Sequence, residues 1–473
     1  MSILRKEYLI HASALFSGMF RITFPKIANL VSGLFAKKRG ELFELAGRKY
    51  AKARTVSGNL LIFLLAISSF LSVSCISEVA SLCASGALCE GKGGSSGIPA
   101  FLLSPTTTVS TPTTTTLTTE SYPGFTATRV YGQPDFTSNS VNNGGISATS
   151  ANDPTGVALD SSGNVYIAEF YNNRILRFPS GSTTADTVYG QAGSFTTNTV
   201  NMGGMPNENT LKAPVHLSFD ASGGMYVADA YNNRALYFPA GSTTATKVFG
   251  QPDFNSGSGD GTKGNGTNSD WNFWGIRAGD AGDVYITDYY NNRILYYPSG
   301  SSFATRIYGA GNESNLCSTV NASSICYPTD VVVDSNGGLY AVDFANSRVL
   351  YYPSGSTTAT RVYGQPDFTS SGPNNGGITA SSLNKPKGIA LDSQGGLYVA
   401  DKFNNRVLYY PPGSTTATRV YGKGGDFTSG AFGTSPTLLS LPEGIALDSS
   451  GGMYVADTGN NRTLYFPPIT VTK

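Results

Sequence analysis

Imidazoles and thiols are scarce in this chain. Two histidines, His11 and His216, and five cysteines, Cys75, Cys83, Cys89, Cys317 and Cys326, are all that 473 residues contain. A Ser-His-Asp triad needs an imidazole beside its nucleophile, and a zinc site takes three or four His, Cys or carboxylate ligands. His11 lies in a basic N-terminal segment. His216 stands where other repeats carry Gly156, Gly275, Gly388 and Gly444, so it reads as a filled turn or strand-edge position. No Gly-rich phosphate loop follows a strand and opens a helix. These residues predict no catalytic group, no metal and no cofactor.

Carboxylates are more regular. An acid precedes an arginine by five residues six times over: Glu169 and Arg174, Asp229 and Arg234, Asp288 and Arg293, Asp343 and Arg348, Asp401 and Arg406, Asp457 and Arg462. An Asn-rich turn separates each pair, which places acid and guanidinium on facing arms of a hairpin, where the planar fork can meet a carboxylate. A pair repeated at every station is expected to hold the fold together; a ligand or metal site is the other reading. A further acid recurs as Asp160, Asp220, Asp334, Asp392 and Asp448.

The arginines fall at intervals of 55 to 60 residues. A fixed period of this length marks an array of small units that bury their apolar faces only against neighbours. Each unit holds four short runs of alternating character, as in Gly388–Asp392, Leu397–Asp401, Arg406–Tyr410 and Thr418–Gly422, which fits half-buried strands. Gly395-Gly396 and Asn404-Asn405 supply the tight connections, and Pro411–Ser414 separates the third run from the fourth. Four antiparallel strands per unit, six units in a ring, make an all-β six-bladed β-propeller. The fourth-strand phrase Ala127–Gly132 precedes the first full unit, and the sixth unit lacks one. Residues 127–132 are therefore expected to clasp the last blade, removing an open edge; a strand at Ile469–Val471 is the alternative.

The core Gly388–Val407, G-I-A-L-D-S-Q-G-G-L-Y-V-A-D-K-F-N-N-R-V, resembles the NHL repeat, over about residues 154–467. The resemblance implies the same six-bladed fold. Departures are mild: Gly275-Ile276-Arg277-Ala278-Gly279 loses the strand-ending Asp, and Glu169 replaces an Asp. Among enzymes that the resemblance brings in, amidating lyases use His-bound zinc and lactonase-like propellers use calcium and His. This chain lacks the imidazoles for the first. Some NHL propellers bind RNA through a basic face, but residues 122–473 carry 20 Lys and Arg against 25 Asp and Glu. Without a counterion-releasing patch, nucleic acid is not expected as a partner.

Residues 1–74 form a basic extension with an apolar run from Asn59 to Ser74, read as a lipoprotein-type signal of a bacterium. Leu71 and Ser72-Val73-Ser74 ahead of Cys75 resemble a lipobox, with Cys75 the lipidation site. The stretch before it is long for a signal, so the true start is expected downstream, near Leu42 or Leu45. An uncleaved anchor with a basic cytoplasmic tail is the other reading. Removing Cys75 leaves two close pairs, Cys83 with Cys89 and Cys317 with Cys326, as disulfides of an oxidising compartment. Residues 75–121, rich in Gly, Thr and Pro, read as an extended tether, and 122–473 as the propeller.

Links between blades and the turns from second to third strand emerge on one face. There the sequence places Tyr171, Tyr231, Trp271, Trp274, Tyr289, Tyr290, Phe344 and Phe403 among adaptable polar residues, a composition suited to a protein or carbohydrate partner. The expectation is a monomeric, exported, lipid-anchored binding or scaffold module of the cell envelope, with the cell surface one candidate destination, and not an enzyme. The alternative is an envelope enzyme, lyase or lactonase-like, holding a channel metal by carboxylates.

Overall fold

Runs such as Leu397–Asp401, buried at every position, show that the strands are covered on both faces by neighbouring blades, where apolar residues on either side of the pleat find a partner. A computed structural model describes residues 123–257, 273–279, 282–309 and 316–469. These form six antiparallel four-stranded sheets. Blade one comprises Pro154–Leu159, Val165–Glu169, Arg174–Phe178 and Thr187–Tyr189, and blades two to four repeat that order from Pro214, Phe273 and Pro328. Blade five comprises Ile389–Leu391, Leu397–Asp401, Arg406–Tyr410 and Arg419–Tyr421. The first strands lie side by side around a central axis, each contacting the first strand of the next blade and the sixth contacting the first.

Blade six takes three strands from the C-terminal repeat, Ile445–Leu447, Met453–Asp457 and Arg462–Phe466, and its fourth from Arg129–Tyr131. Arg129 faces Tyr465, Val130 faces Leu464 and Tyr131 faces Thr463 in antiparallel register. Ile469 belongs to no strand; it packs against the core between blades five and six and against Gly124.

One aromatic contact recurs at every blade boundary. The last residue of each fourth strand meets the last residue of the next blade's third strand edge to face: Tyr189 on Phe238, Phe249 on Tyr297, Tyr308 on Tyr352, Tyr363 on Tyr410, Tyr421 on Phe466 and, across the closure, Tyr131 on Phe178. Centroid separations run from 5.1 Å at the closure to 5.6 Å, the range in which the ring quadrupoles attract.

The axis explains the glycines. A Cβ on Gly156, Gly275 or Gly444 would lie 2.6 Å from the carbonyl oxygen of Val215, Thr329 or Thr155 on the next blade. On Gly388 it would lie 2.2 Å from that of Glu443. Backbones approach there too closely for a side chain. The other two blades carry His216 and Asp330 at this position.

Candidate functional site

Six clamps build the face on which the links emerge. Acid and arginine stand directly opposite each other at the open end of the second hairpin, Glu169 facing Arg174 and Asp401 facing Arg406. Arg Nε donates to the carboxylate at 2.6 Å in blade one, 2.8 Å in blade five and 2.7 Å in the other four. All twelve residues are buried. Arg174 also donates to the carbonyls of Ser147 and Ser150 in the incoming link and of Phe195 in the outgoing one. Arg348 does the same with Asn321, Ser324 and Phe368. The acid accepts from the turn as well: Asn404 Nδ2 and the Asn384 amide both reach Asp401. Burial pushes Asp288 and Asp457 up to about 6 against the pull of their arginines. With fork and carboxylate engaged inside the protein, the pairs of blades one, two, four, five and six each join a blade to both flanking links.

The two residues after each clamp acid vary among blades, and they decorate the face. The outer position holds Tyr171, Tyr231, Tyr290, Ala345, Phe403 and Gly459. Tyr171, Tyr231, Tyr290 and Phe403 keep 60, 45, 53 and 49 % of their surface exposed. Phe170 packs at 5.0 Å from Tyr171 and 5.2 Å from Tyr231, joining blades one and two. Tyr289 touches Tyr290 at 5.0 Å and stacks on Tyr327 at 4.9 Å. The result is an arc of tyrosines over blades one to three.

Inside the arc the mouth of the channel holds groups that the sequence reading did not select. Lys387, buried at the start of blade five's inner strand, sets its ammonium 3.9 Å from the Trp274 ring centre, 5.2 Å from Phe344 and 5.9 Å from Tyr289. Burial holds it down at about 8. Lys402 pairs with Glu443. Asp153 is pushed up to about 6 by burial, then by the charge of Glu443. Trp274 belongs to the first strand of blade three and is half-buried beneath Lys387, so it is a wall of the mouth and not part of the turn surface. Tyr289 and Phe344 share that role. Trp271 lies outside the described residues.

Below the mouth, His216 stands on the innermost strand of blade two, the edge strand of its sheet, as the strand-edge reading expected, and it meets Asp330 there. Nδ1 of His216 sits 3.1 Å from the Ile276 carbonyl, and Nε2 sits 3.3 Å from Asp330. Asp330 accepts the Ile389 amide at 2.9 Å. One imidazole and one carboxylate thus tie blades two, three, four and five along the axis. The signal was present: both break the glycine pattern, and Asp330 breaks it with a charge.

Cys317 and Cys326 form a disulfide within the link to blade four. Cys75, Cys83 and Cys89, and the lipoprotein and tether segments, lie outside the described residues. Among the described residues no group of three or more His, Cys, Asp or Glu could hold a metal ion, and no helix is long and apolar enough to cross a membrane. The recurrent Asp160 and its counterparts cap their turns; Asp392, for one, accepts the amides of Gln394 and Gly396.

The NHL repeat model matches residues 152–178, 326–352, 383–409 and 439–462, in blades one, four, five and six. A chloroplastic protein of Arabidopsis thaliana, SUPPRESSOR OF QUENCHING 1, is 28 % identical over 192 residues. That match takes in 38 % of this chain and only 18 % of the relative's length. Among solved structures, virginiamycin B lyase from Staphylococcus aureus aligns at 14 % identity and a TM-score of 0.40, covering 68 % of this chain and 85 % of the lyase. A protein of unknown function from Bacteroides thetaiotaomicron aligns at 12 % and 0.44, covering 70 % of this chain and 73 % of that one. Similarities this remote say nothing of chemistry. The chain carries NHL repeats, and its described residues fold as a six-bladed β-propeller.

Proposed function

We propose that this protein is an exported, lipid-anchored binding module whose link face engages a protein or carbohydrate partner. The observation that supports the reading is the tyrosine arc. The fold does not require an aromatic at the outer turn position, since blades four and six use Ala345 and Gly459 there. Three successive blades nonetheless hold Tyr171, Tyr231 and Tyr290 exposed around a charged mouth. Rigid rings with a polar tip give contact area at low entropic cost, and they stack on sugar or peptide faces. The segment 59–75 motivates the export and anchoring part of the proposal.

The test is affinity electrophoresis of the full chain through a panel of envelope polysaccharides, with photocrosslinking from position 231 in intact cells for protein partners. Retardation or a defined crosslink, lost when Tyr171, Tyr231 and Tyr290 are all changed to Ser, is the expected result. An unaltered signal in the folded triple variant would defeat the reading.

A catalytic reading has one observation in its favour, the shifted Asp153 and Lys387 beside Glu443 and Lys402, because such groups gather at active sites. EDTA-reversible thermal stabilisation by calcium would move the choice towards a metal-dependent enzyme.

A further inference from the structure

At the channel mouth each blade contributes the residue that precedes its closest approach to the axis. In blade order these are Thr155, Val215, Trp274, Thr329, Lys387 and Glu443, and together they line a small cleft. The blades repeat one another closely elsewhere, yet this position runs from hydroxyl to indole to opposite charges. The fold therefore does not require a lysine here.

Lys387 is held firmly by its backbone. Its amide donates to the Ala400 carbonyl, and its own carbonyl accepts the Thr329 hydroxyl at 2.7 Å. The side chain keeps only 7 % of the residue's surface exposed. Among the described residues no hydrogen-bond acceptor and no ion-pair partner meets its nitrogen. Its neighbours are rings, with the ammonium 3.9 Å from the centre of Trp274 and 5.2 Å from that of Phe344. Glu443, on the next blade, is already paired with Lys402. The charges that act on Lys387 are those of Glu443, Lys402, Asp153 and Asp330, and desolvation outweighs them, holding the amine down at about 8.

An ammonium denied acceptors in this way costs stability. A lysine desolvated among apolar groups gives up its proton readily and becomes a nucleophile. The cleft beside it measures about 10 Å³, room for a group about the size of one water. That admits the head of an aldehyde, its tail left in the mouth, and excludes bulkier electrophiles.

We infer that Lys387 is a nucleophilic amine whose site takes the carbonyl end of a small aldehyde and forms a reversible imine with it. The neutral amine adds to the carbonyl carbon, forming a C–N bond. The carbonyl oxygen then leaves with the two amine protons as water, so no oxidant or reductant enters. Asp153, at the same mouth, has a carboxyl with no hydrogen-bond partner among the described residues and can relay a proton between them. This chemistry does not rest on the tyrosine arc, and failure of either reading leaves the other standing.

The experiment treats the full chain with acetaldehyde and cyanoborohydride at pH 7, beside an equal concentration of Nα-acetyl-lysine methylamide, and locates the alkylated lysines by peptide mapping. An amine held at about 8 is roughly one-tenth neutral at pH 7, against about four parts in ten thousand for an ordinary lysine. Lower basicity and restricted access take back part of that lead, so Lys387 is expected to alkylate about tenfold faster than the free amine. The lead should shrink at pH 9, where the free amine is also losing its proton. A Lys387 that reacts no faster than the free amine at pH 7, or a ratio unchanged at pH 9, would overturn the inference and leave the ammonium as a structural cation on Trp274.

Discussion

Arginine does in this chain what a hydrophobic core alone could not. Each unit is joined to its neighbours by long links poor in apolar residues, and five of the six buried guanidinium groups, Arg174, Arg234, Arg348, Arg406 and Arg462, hold those links by their carbonyls. Removing one such group leaves a buried carboxylate without its counter-charge and several carbonyls without donors. Arg406→Ala is accordingly expected to cost about 3–5 kcal/mol, read as a lower midpoint in urea unfolding; an unchanged midpoint would refute the structural assignment. The pairs were legible because repetition advertised them. Lys387 and Glu443 were not, since each occurs once and only the ring brings them to one mouth. Trp274 shows the same limit: its neighbourhood in sequence suggested a turn, whereas the ladder with Val284–Asp288 puts it inside a strand.

Strands were the most readable level, because period-two alternation and turn residues fall in step six times. The fourth strands came out shorter than their phrases suggest, Arg419–Tyr421 in place of Thr418–Gly422, since Gly422 turns away with a φ of +86°. The clasp was inferred from a missing phrase and a spare one, and the pairing of Arg129–Tyr131 with Arg462–Phe466 supplies it. Its three residues carry more than local weight: Tyr131 seals the boundary between blades six and one against Phe178 and Tyr454. Deleting residues 123–132 should expose the edge of blade six and abolish cooperative unfolding, measured by calorimetry. A truncated protein with the parent's transition would show that the ring closes by other means.

Taken whole, the propeller contains two lysines held well below their ordinary range. Lys387 at the mouth and Lys423 at the end of blade five are both depressed to about 8 by burial. Lys423 occupies a position where Gln133, Gln191 and Gln365 donate to carbonyls of the Asn-rich turn, and its own ammonium has no hydrogen-bond partner. Between pH 8 and 10 the unfolded chain binds more protons at these two sites than the folded one, so the two lysines by themselves make stability rise with pH across that window. The many buried tyrosines, raised above 10, oppose this from about pH 9 upward, where phenols of the unfolded chain begin to ionise and the buried ones do not. Thermal melts of the parent should climb from about pH 8 to 9, before the tyrosines take over. The double variant Lys387→Met, Lys423→Gln should melt higher at pH 7 and show a flatter profile; parallel profiles would remove these lysines as the cause.

Closure by the Arg129–Tyr131 strand also sets a schedule. Its partner residues are synthesised more than 300 positions later, which at ~5–20 residues per second means a wait of roughly 15–65 s on the ribosome. Through that interval five blades can assemble on one another while the earliest strand stays unpaired. The last step of maturation is therefore a meeting of the two most distant parts of the ring, and the vulnerable species for proteases and chaperones is a nearly complete but unbuckled circle.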